Sequence, residues 1–415
     1  MKINRSHASN CFRNMFEVVL FTAATSLPAN TLGLFPAGPA AKSAGMESAV
    51  ESSEPQGLLY NPAGIADSAP GIHGEFGVGR LLYSYEHPRF DPVKVSLWTP
   101  VASAGWRSRS SEPLSWGFAI FPSSMAKLEV KGLPRRINGK PESLNVKTSR
   151  KQLHAPIGIA WTTDQGKLTS TSLGAALIAT YDERKLTADS LVDGAKLVDM
   201  NGRGVFFRPN VGILTTSENI DFGMSYTAAL TKKFKGSTTL VSEPEPFETE
   251  QVDYDPASLN TGLKLRCDTF TSSFQVNRIY GAKGASIIRD GINRRTTTAD
   301  VRDVNHLGMR LGYLYSPEDT FSVAYAYLPT TWGAGSYGVD ADGFSHQELG
   351  HLFGTFQAMP VRNQSVAWNH KTPLGAYSAS MFRSAGQQTI AGEGDNPGFY
   401  QLEFISVTAG LTKTW

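Results

Sequence analysis

Residues 219–235 read as a ladder. Ile220, Phe222, Met224, Tyr226, Ala228 and Leu230 alternate with Asp221, Gly223, Ser225, Thr227, Ala229 and Thr231. A period of two places the first set on one face of a β-strand and the second on the other. The apolar set covers about the 9–11 residues that a tilted strand needs to cross a bilayer. Such strands can face lipid outside and water inside only by closing into a barrel, because a free sheet edge in hydrocarbon leaves backbone groups without partners.

The pattern recurs along the chain. Alternating segments stand at 72–85, 93–107, 114–125, 150–163, 168–184, 205–216, 220–235, 258–267, 271–280, 305–315, 320–328, 361–369, 374–383 and 400–415. Fourteen is an even number, as a bacterial barrel with both ends on one side requires. The clearest members define the faces: Leu153, Ala155, Ile157, Ile159 and Trp161 alternate with His154, Pro156, Gly158 and Ala160. Aromatics near strand ends (Trp161, Tyr181, Tyr315, Tyr327, Trp415) fit interfacial girdles.

Soluble sandwiches also alternate, so the connections carry the distinction. Short turns at 163–168, 216–219, 316–319 and 369–373 take turns with long connections at 126–149, 185–204, 243–257, 281–304, 329–360 and 384–399. That order is expected of short periplasmic turns and long extracellular loops. A net charge of +2 offers no basic face for nucleic acid. After the first Met no run reaches the roughly 18 apolar residues of a spanning helix. The expected class is all-β, a transmembrane antiparallel barrel of the bacterial outer membrane.

The N-terminus reads as an export signal over residues 1–29. Lys2, Arg5 and Arg13 precede the apolar stretch 15–24, and small residues continue to Ala29. Loss of this leader removes Cys11 and leaves Cys267 as a lone cysteine, read as a small apolar residue on a strand face. Residues 30–70 carry Gly, Pro and small residues without alternation, and residues 71–415 hold the strands.

Within 43–66, the run Asn61-Pro62-Ala63 precedes the first strand in a small-residue segment. Here the chain resembles the FadL/TodX-type outer-membrane transporters of hydrophobic compounds. Further similar pieces follow in order: Ala104-Gly105-Trp106, Ser115-Trp116-Gly117-Phe118, Asn210-Val211-Gly212-Ile213-Leu214, Phe234-Lys235-Gly236 and the terminal 410–415. The resemblance implies a monomeric barrel of fourteen strands with residues 30–70 folded inside as a plug. It implies passive uptake of long-chain fatty acids or other apolar molecules, a plug rearrangement, and sideways release through a kink in the third strand.

On that reading Asn61, Pro62 and Ala63 are plug residues, while Leu58, Leu59 and Ile65 either line a ligand pocket or anchor the plug to the wall. Asn-Pro also starts ordinary turns. In the third strand Phe121, Pro122, Ser123 and Ser124 mark the expected lateral opening, since proline has no amide for the ladder. The alternative is a plain strand end near the rim. The expected partners are an apolar ligand, outer-membrane lipid and lipopolysaccharide, with no nucleic acid.

Charge in the loops has two readings each. Lys127, Lys131, Arg135, Arg136, Lys140, Lys147, Arg150 and Lys151 either meet lipopolysaccharide phosphates and guide carboxylates, or form a solvated loop. Glu243, Glu245, Glu248, Glu250, Asp253 and Asp255 form an acidic counterpart, and Asp340-Ala341-Asp342-Gly343 is a fragment of a calcium-loop pattern. His346 and His351 are five apart with Glu348 between them, which does not give the shared helical face of a zinc protease. Neither a metal nor another cofactor is expected. A catalytic Ser–His pair on the outer wall would signal a lipid hydrolase, but His154 lies on the lumen register. The rival functions are a general or other substrate-specific porin, an outer-membrane lipid hydrolase, and a surface adhesin.

Overall fold

The computed structural model describes residues 48–414, apart from 52–53, 87–91, 109–112, 138–139, 164–168, 192–195, 241–242, 291–295, 330–359 and 391–397. The leader, residues 30–47, Asp340 to Gly343, His346, Glu348, His351 and Trp415 lie outside the described residues.

Among the described residues, eighteen strand segments form one antiparallel sheet. They are β1 (Gly71–Glu86), β2 (Val93–Arg107), β3 (Leu114–Ile137), β4 (Lys140–Thr163), β5 (Thr169–Ser190), β6 (Lys196–Ser217), β7 (Ile220–Thr227), β8 (Leu230–Leu240) and β9 (Glu243–Asp255). The rest are β10 (Ala257–Cys267), β11 (Phe270–Tyr280), β12 (Ala282–Asp290), β13 (Thr296–Val301), β14 (Val304–Leu314), β15 (Asp319–Leu328), β16 (Val361–Thr372), β17 (Gly375–Ile390) and β18 (Gly398–Thr414).

Fourteen of these close a ring. Pairing runs β1 through β7, then β10, β11 and β14 to β18, and β18 returns to β1 from Gly71↔Thr414 to Glu86↔Phe399. The other four extend ring strands on one side: β8 continues β7, β9 precedes β10, β12 continues β11 and β13 precedes β14. The fourteen alternating segments of the sequence therefore correspond one to one with the strands of the ring. The long connections differ from expectation, because much of each is strand. Thus β3 and β4 stay paired out to Ile137↔Lys140, since backbone pairing needs no apolar face once a hairpin has left the bilayer.

The distribution of residues is inside out. In β7 the burial alternates strictly: Asp221, Gly223, Ser225 and Thr227 are buried, while Ile220, Phe222, Met224 and Tyr226 are 40–48% exposed. The same outward set continues around the ring with Ile157, Ile159 and Trp161, Leu173 and Leu177, Phe321 and Val323, Val407 and Leu411. Ser, Thr, Asn, Gln and His fill the interior, as at Asn260, Gln275, Asn277, His306 and Ser322. Water cannot cover such a belt without a heavy penalty, and lipid tails can. The fold is a transmembrane β-barrel. Trp161 and Tyr315 stand exposed near the short-turn end, as girdle residues should.

Cys267 departs from expectation. It is disulfide-bonded and not a lone apolar residue.

Candidate functional site

The described residues of 48–69 lie inside the barrel against the inner faces of β2 to β7 and β10. Two short 3-10 turns build it, Pro55–Leu59 and Pro62–Asp67. Each begins with proline, whose missing amide costs nothing at a position without a helical acceptor. Asn61 joins the two turns and is fully buried. Its Oδ1 accepts from the Ala63 amide (3.1 Å) and caps the second turn. Its Nδ2 donates to the Ala49 carbonyl (2.7 Å) and to the Ile213 carbonyl of β6 (3.0 Å). One side chain thus ties the segment to itself and to the wall.

The wall answers with its own donors. Asn210 of β6 donates from Nδ2 to the Leu58 and Leu59 carbonyls (3.3 and 3.0 Å). Ser225 of β7 donates to the Tyr60 carbonyl. Arg107 of β2 donates to the Ala66 carbonyl (3.1 Å), and Gln56 donates to Ser103 Oγ (3.2 Å). Turn carbonyls that would otherwise be stranded in the lumen are satisfied this way.

Close approach is possible because the wall is bare at two key points. A Cβ at Gly212 would overlap Asn61 Oδ1, and one at Gly174 would overlap the Pro62–Ala63 backbone. Gly174 and Gly212 face each other across the β5–β6 ladder. Glycine inside a strand marks such a backbone approach.

At the start of the segment, Glu51 meets Arg310 of β14 and Lys264 of β10 (3.7 Å to the latter). Burial opposes ionisation of this carboxyl, but the two cations outweigh burial and hold it down at about 2. The segment is therefore fastened on both sides of the lumen.

Apolar contacts sort into three clusters. Leu58 and Ile65 pack with Ala160 and Ala176 of β4 and β5. Ala63 packs with Val50 and Leu214. Leu59 and Tyr60 pack with Phe121 of β3 and Ile178 of β5. Leu58 and Ile65 are wholly covered.

The third cluster sits behind a break in the wall. β1 and β2 are paired along their length, from Gly71↔Arg107 to Tyr85↔Val93. Among the described residues β2 and β3 pair only from Arg107↔Gly117 to Ala104↔Ile120. Beyond that point residues 93–103 of β2 have no ladder to β3. On its other side β3 changes register against β4 between Pro122 and Ser124, leaving Ser123 as the extra residue of a bulge. Pro100 on β2 and Pro122 on β3 flank the break, and neither has an amide to donate. Phe121 faces inward, its ring 5.6 Å from that of His154, while Phe118 and Ile120 face outward.

The structure thus brings Leu59 together with Phe121 beside Pro122, and separates both from Ala63 and Ile65. His154 is buried and contacts Thr180 Oγ1 (2.9 Å) through Nδ1, away from the outer wall. In the basic hairpin Lys131 and Lys147 lie 3.9 and 3.8 Å from Glu129, and Lys151 lies 3.2 Å from Glu183. No group of metal-ligating side chains occurs among the described residues. Sequence reasoning missed Glu51, Arg107, Arg310 and the wall roles of Asn210 and Ser225. The signal for the last two was present: Asn210, Gly212 and Ser225 stand on the polar register of otherwise apolar ladders.

Fourteen strands thus close a transmembrane barrel around a fastened N-terminal segment. No family model and no curated protein matches the sequence. Solved structures do match. A Pseudomonas aeruginosa FadL homologue aligns with a TM-score of 0.63 at 9% identity, over 93% of this chain and 99% of that one. The Ralstonia pickettii toluene transporter TbuX aligns with a TM-score of 0.61 at 12% identity, over 92% and 99%. The Pseudomonas putida toluene transporter TodX gives 0.60 at 13% identity, over 93% and 100%. The chain has the FadL-type fold.

Proposed function

We propose that this protein is a passive outer-membrane transporter of hydrophobic small molecules, long-chain fatty acids or hydrocarbons, and that it releases them sideways through the β2–β3 break. The observation that carries the reading is the coincidence of that break with the apolar cluster of Leu59, Tyr60, Phe121 and Ile178. An apolar solute crosses a polar lumen poorly, whereas an apolar contact beside a gap in the wall leads it straight into lipid. The toluene transporters TbuX and TodX, which share the fold, support the reading.

In this reading Asn61, Pro62 and Ala63 hold the plug, Leu59 and Phe121 contact the ligand, and Pro122, Ser123 and Ser124 shape the exit. Four cations of the wall are already paired. Lys232 is paired with Asp182 and Asp255, Lys264 and Arg310 with Glu51, and Arg266 with Asp221, so each already faces a carboxylate. The chain acts as a monomer and not as an enzyme, with residues 1–29 as its leader and residues 30–70 as its plug. Uptake of radiolabelled toluene and oleate by cells expressing the full chain tests the function. Uptake no faster than in cells without the protein would refute it.

A further inference from the structure

The outer ends of four neighbouring ring strands are all broken at one level. β7 gives way to β8 at Ala228 and Ala229, β9 to β10 at Pro256, β11 to β12 at Gly281, and β13 to β14 at Arg302 and Asp303. Register sets the four breaks abreast: Thr227 pairs with Ser258, Ala257 with Tyr280, and Ile279 with Val304. Beyond this line β8, β9, β12 and β13 form a sheet of their own through β8–β9, β9–β12 and β12–β13 pairing.

Side chains finish the line, so it is built and not frayed. Arg208 of β6 donates from Nε to the Ala228 carbonyl and from Nη2 to the Pro256 carbonyl, each at 2.5 Å. Asp303 accepts from the Gly281 amide (2.8 Å) and holds Arg278 (2.9 Å). Backbone groups released at the breaks thereby keep partners.

The edge of this small sheet is loose. β6 pairs with β7 from Thr216↔Asp221 to Asn210↔Thr227, and then with β8 only at Met200↔Thr238 and Asp199↔Thr239. Among the described residues, 201–209 and 228–237 run side by side without a ladder, joined through the backbone at their inner end by the Ala228 amide and the Pro209 carbonyl (3.0 Å). Beyond that bond, side chains hold the edge. Lys232, almost wholly covered, reaches past β6 to Asp182 of β5 (3.7 Å) while bonded to Asp255 (2.6 Å). Phe206 of β6 meets Phe234 of β8 edge to face at 5.2 Å. Directly outside, Val205 and Phe207 are more than half exposed and continue the apolar belt.

We propose that β8, β9, β12 and β13 are a flap hinged on this line and latched by Lys232–Asp182 and Phe206–Phe234. Its swing opens a second portal between β6 and β8, through which apolar solutes dissolved in the outer leaflet enter the barrel. The proposal rests on the transport reading for its cargo, but not for its motion. Hinges of this kind absorb movement at a few element ends, and a buried pair suits a latch because it holds one geometry or none.

The test uses the full chain with Arg203→Cys and Lys233→Cys, two exposed outward positions on either side of the edge. Spin labels there should show one narrow distance, which lengthens and broadens when Lys232→Met is added. Labels at Lys151→Cys and Lys185→Cys, across the paired β4–β5 edge, should not respond. Joining the first pair with a short thiol cross-linker should slow uptake of radiolabelled toluene several-fold in cells. An unchanged distance with Lys232→Met, or full uptake by cross-linked protein, overturns the flap. Absence of uptake by the uncross-linked chain overturns the transport reading instead, and the distance measurement then still decides the flap.

Discussion

Deleting Ser123 while replacing Pro122 with valine should zip the β2–β3 edge shut. Among the described residues the β2–β3 ladder stops at Ala104↔Ile120. Continued at the same offset, it would set Ser103 against Phe121 and Ala102 against residue 122. The deletion removes the bulge against β4, which lies between Pro122 and Ser124, and the valine restores a donor. If about four more backbone bonds form, at about 1 kcal/mol net each, the closed edge gains about 4 kcal/mol. At 1.4 kcal/mol per factor of ten, the open population falls on the order of a thousandfold. The assay is uptake of radiolabelled toluene by cells carrying equal amounts of heat-modifiable barrel, with amide exchange along β2 to confirm closure. Slowed exchange in residues 99–103 together with uptake at the original rate would refute the lateral exit.

Other consequences follow from the fastening of the inner segment. Asn61→Ala strands the Ala49 and Ile213 carbonyls and uncaps Pro62–Asp67, which should destabilise the docked segment by about 2–4 kcal/mol; protease cleavage within 48–69 of the folded barrel reads this. Gly174→Val places side-chain atoms where the Pro62–Ala63 backbone lies, so steady ion current in planar bilayers should rise as the segment is displaced. Glu51 is lowered from 4.5 to about 2. Its contribution is therefore complete above the unfolded value and is lost as pH falls from about 4.5 through about 2. That difference amounts to about 3 kcal/mol. Glu51→Gln should loosen the segment at neutral pH and flatten its acid sensitivity over that window, measured by the same cleavage assay.

The ring was legible because lipid and lumen impose opposite demands on alternate residues. Phe222 and Met224 must be apolar, while Asp221 and Ser225 need not be, and the contrast marks each strand without reference to its neighbours. Above the belt both faces meet water, so the contrast vanishes, and the strand character of 126–149 or 243–255 left no periodic trace. The site was half legible. Asn61-Pro62-Ala63 and Pro122 stand out locally through their turn and ladder chemistry. Glu51–Arg310 and Lys232–Asp182 do not, because ion pairs between distant strands depend on ring order and register. Gly174 and Gly212 were readable in principle as lumen-register glycines, but their purpose needs the segment that lies on them.

The central claim is that an apolar solute passes a barrel whose lumen is otherwise filled. Purified full-length protein should be placed in planar bilayers for conductance and, in parallel, expressed in cells for uptake of radiolabelled toluene and oleate. The account predicts rapid uptake with little steady current. A large steady current without uptake of either solute would contradict it.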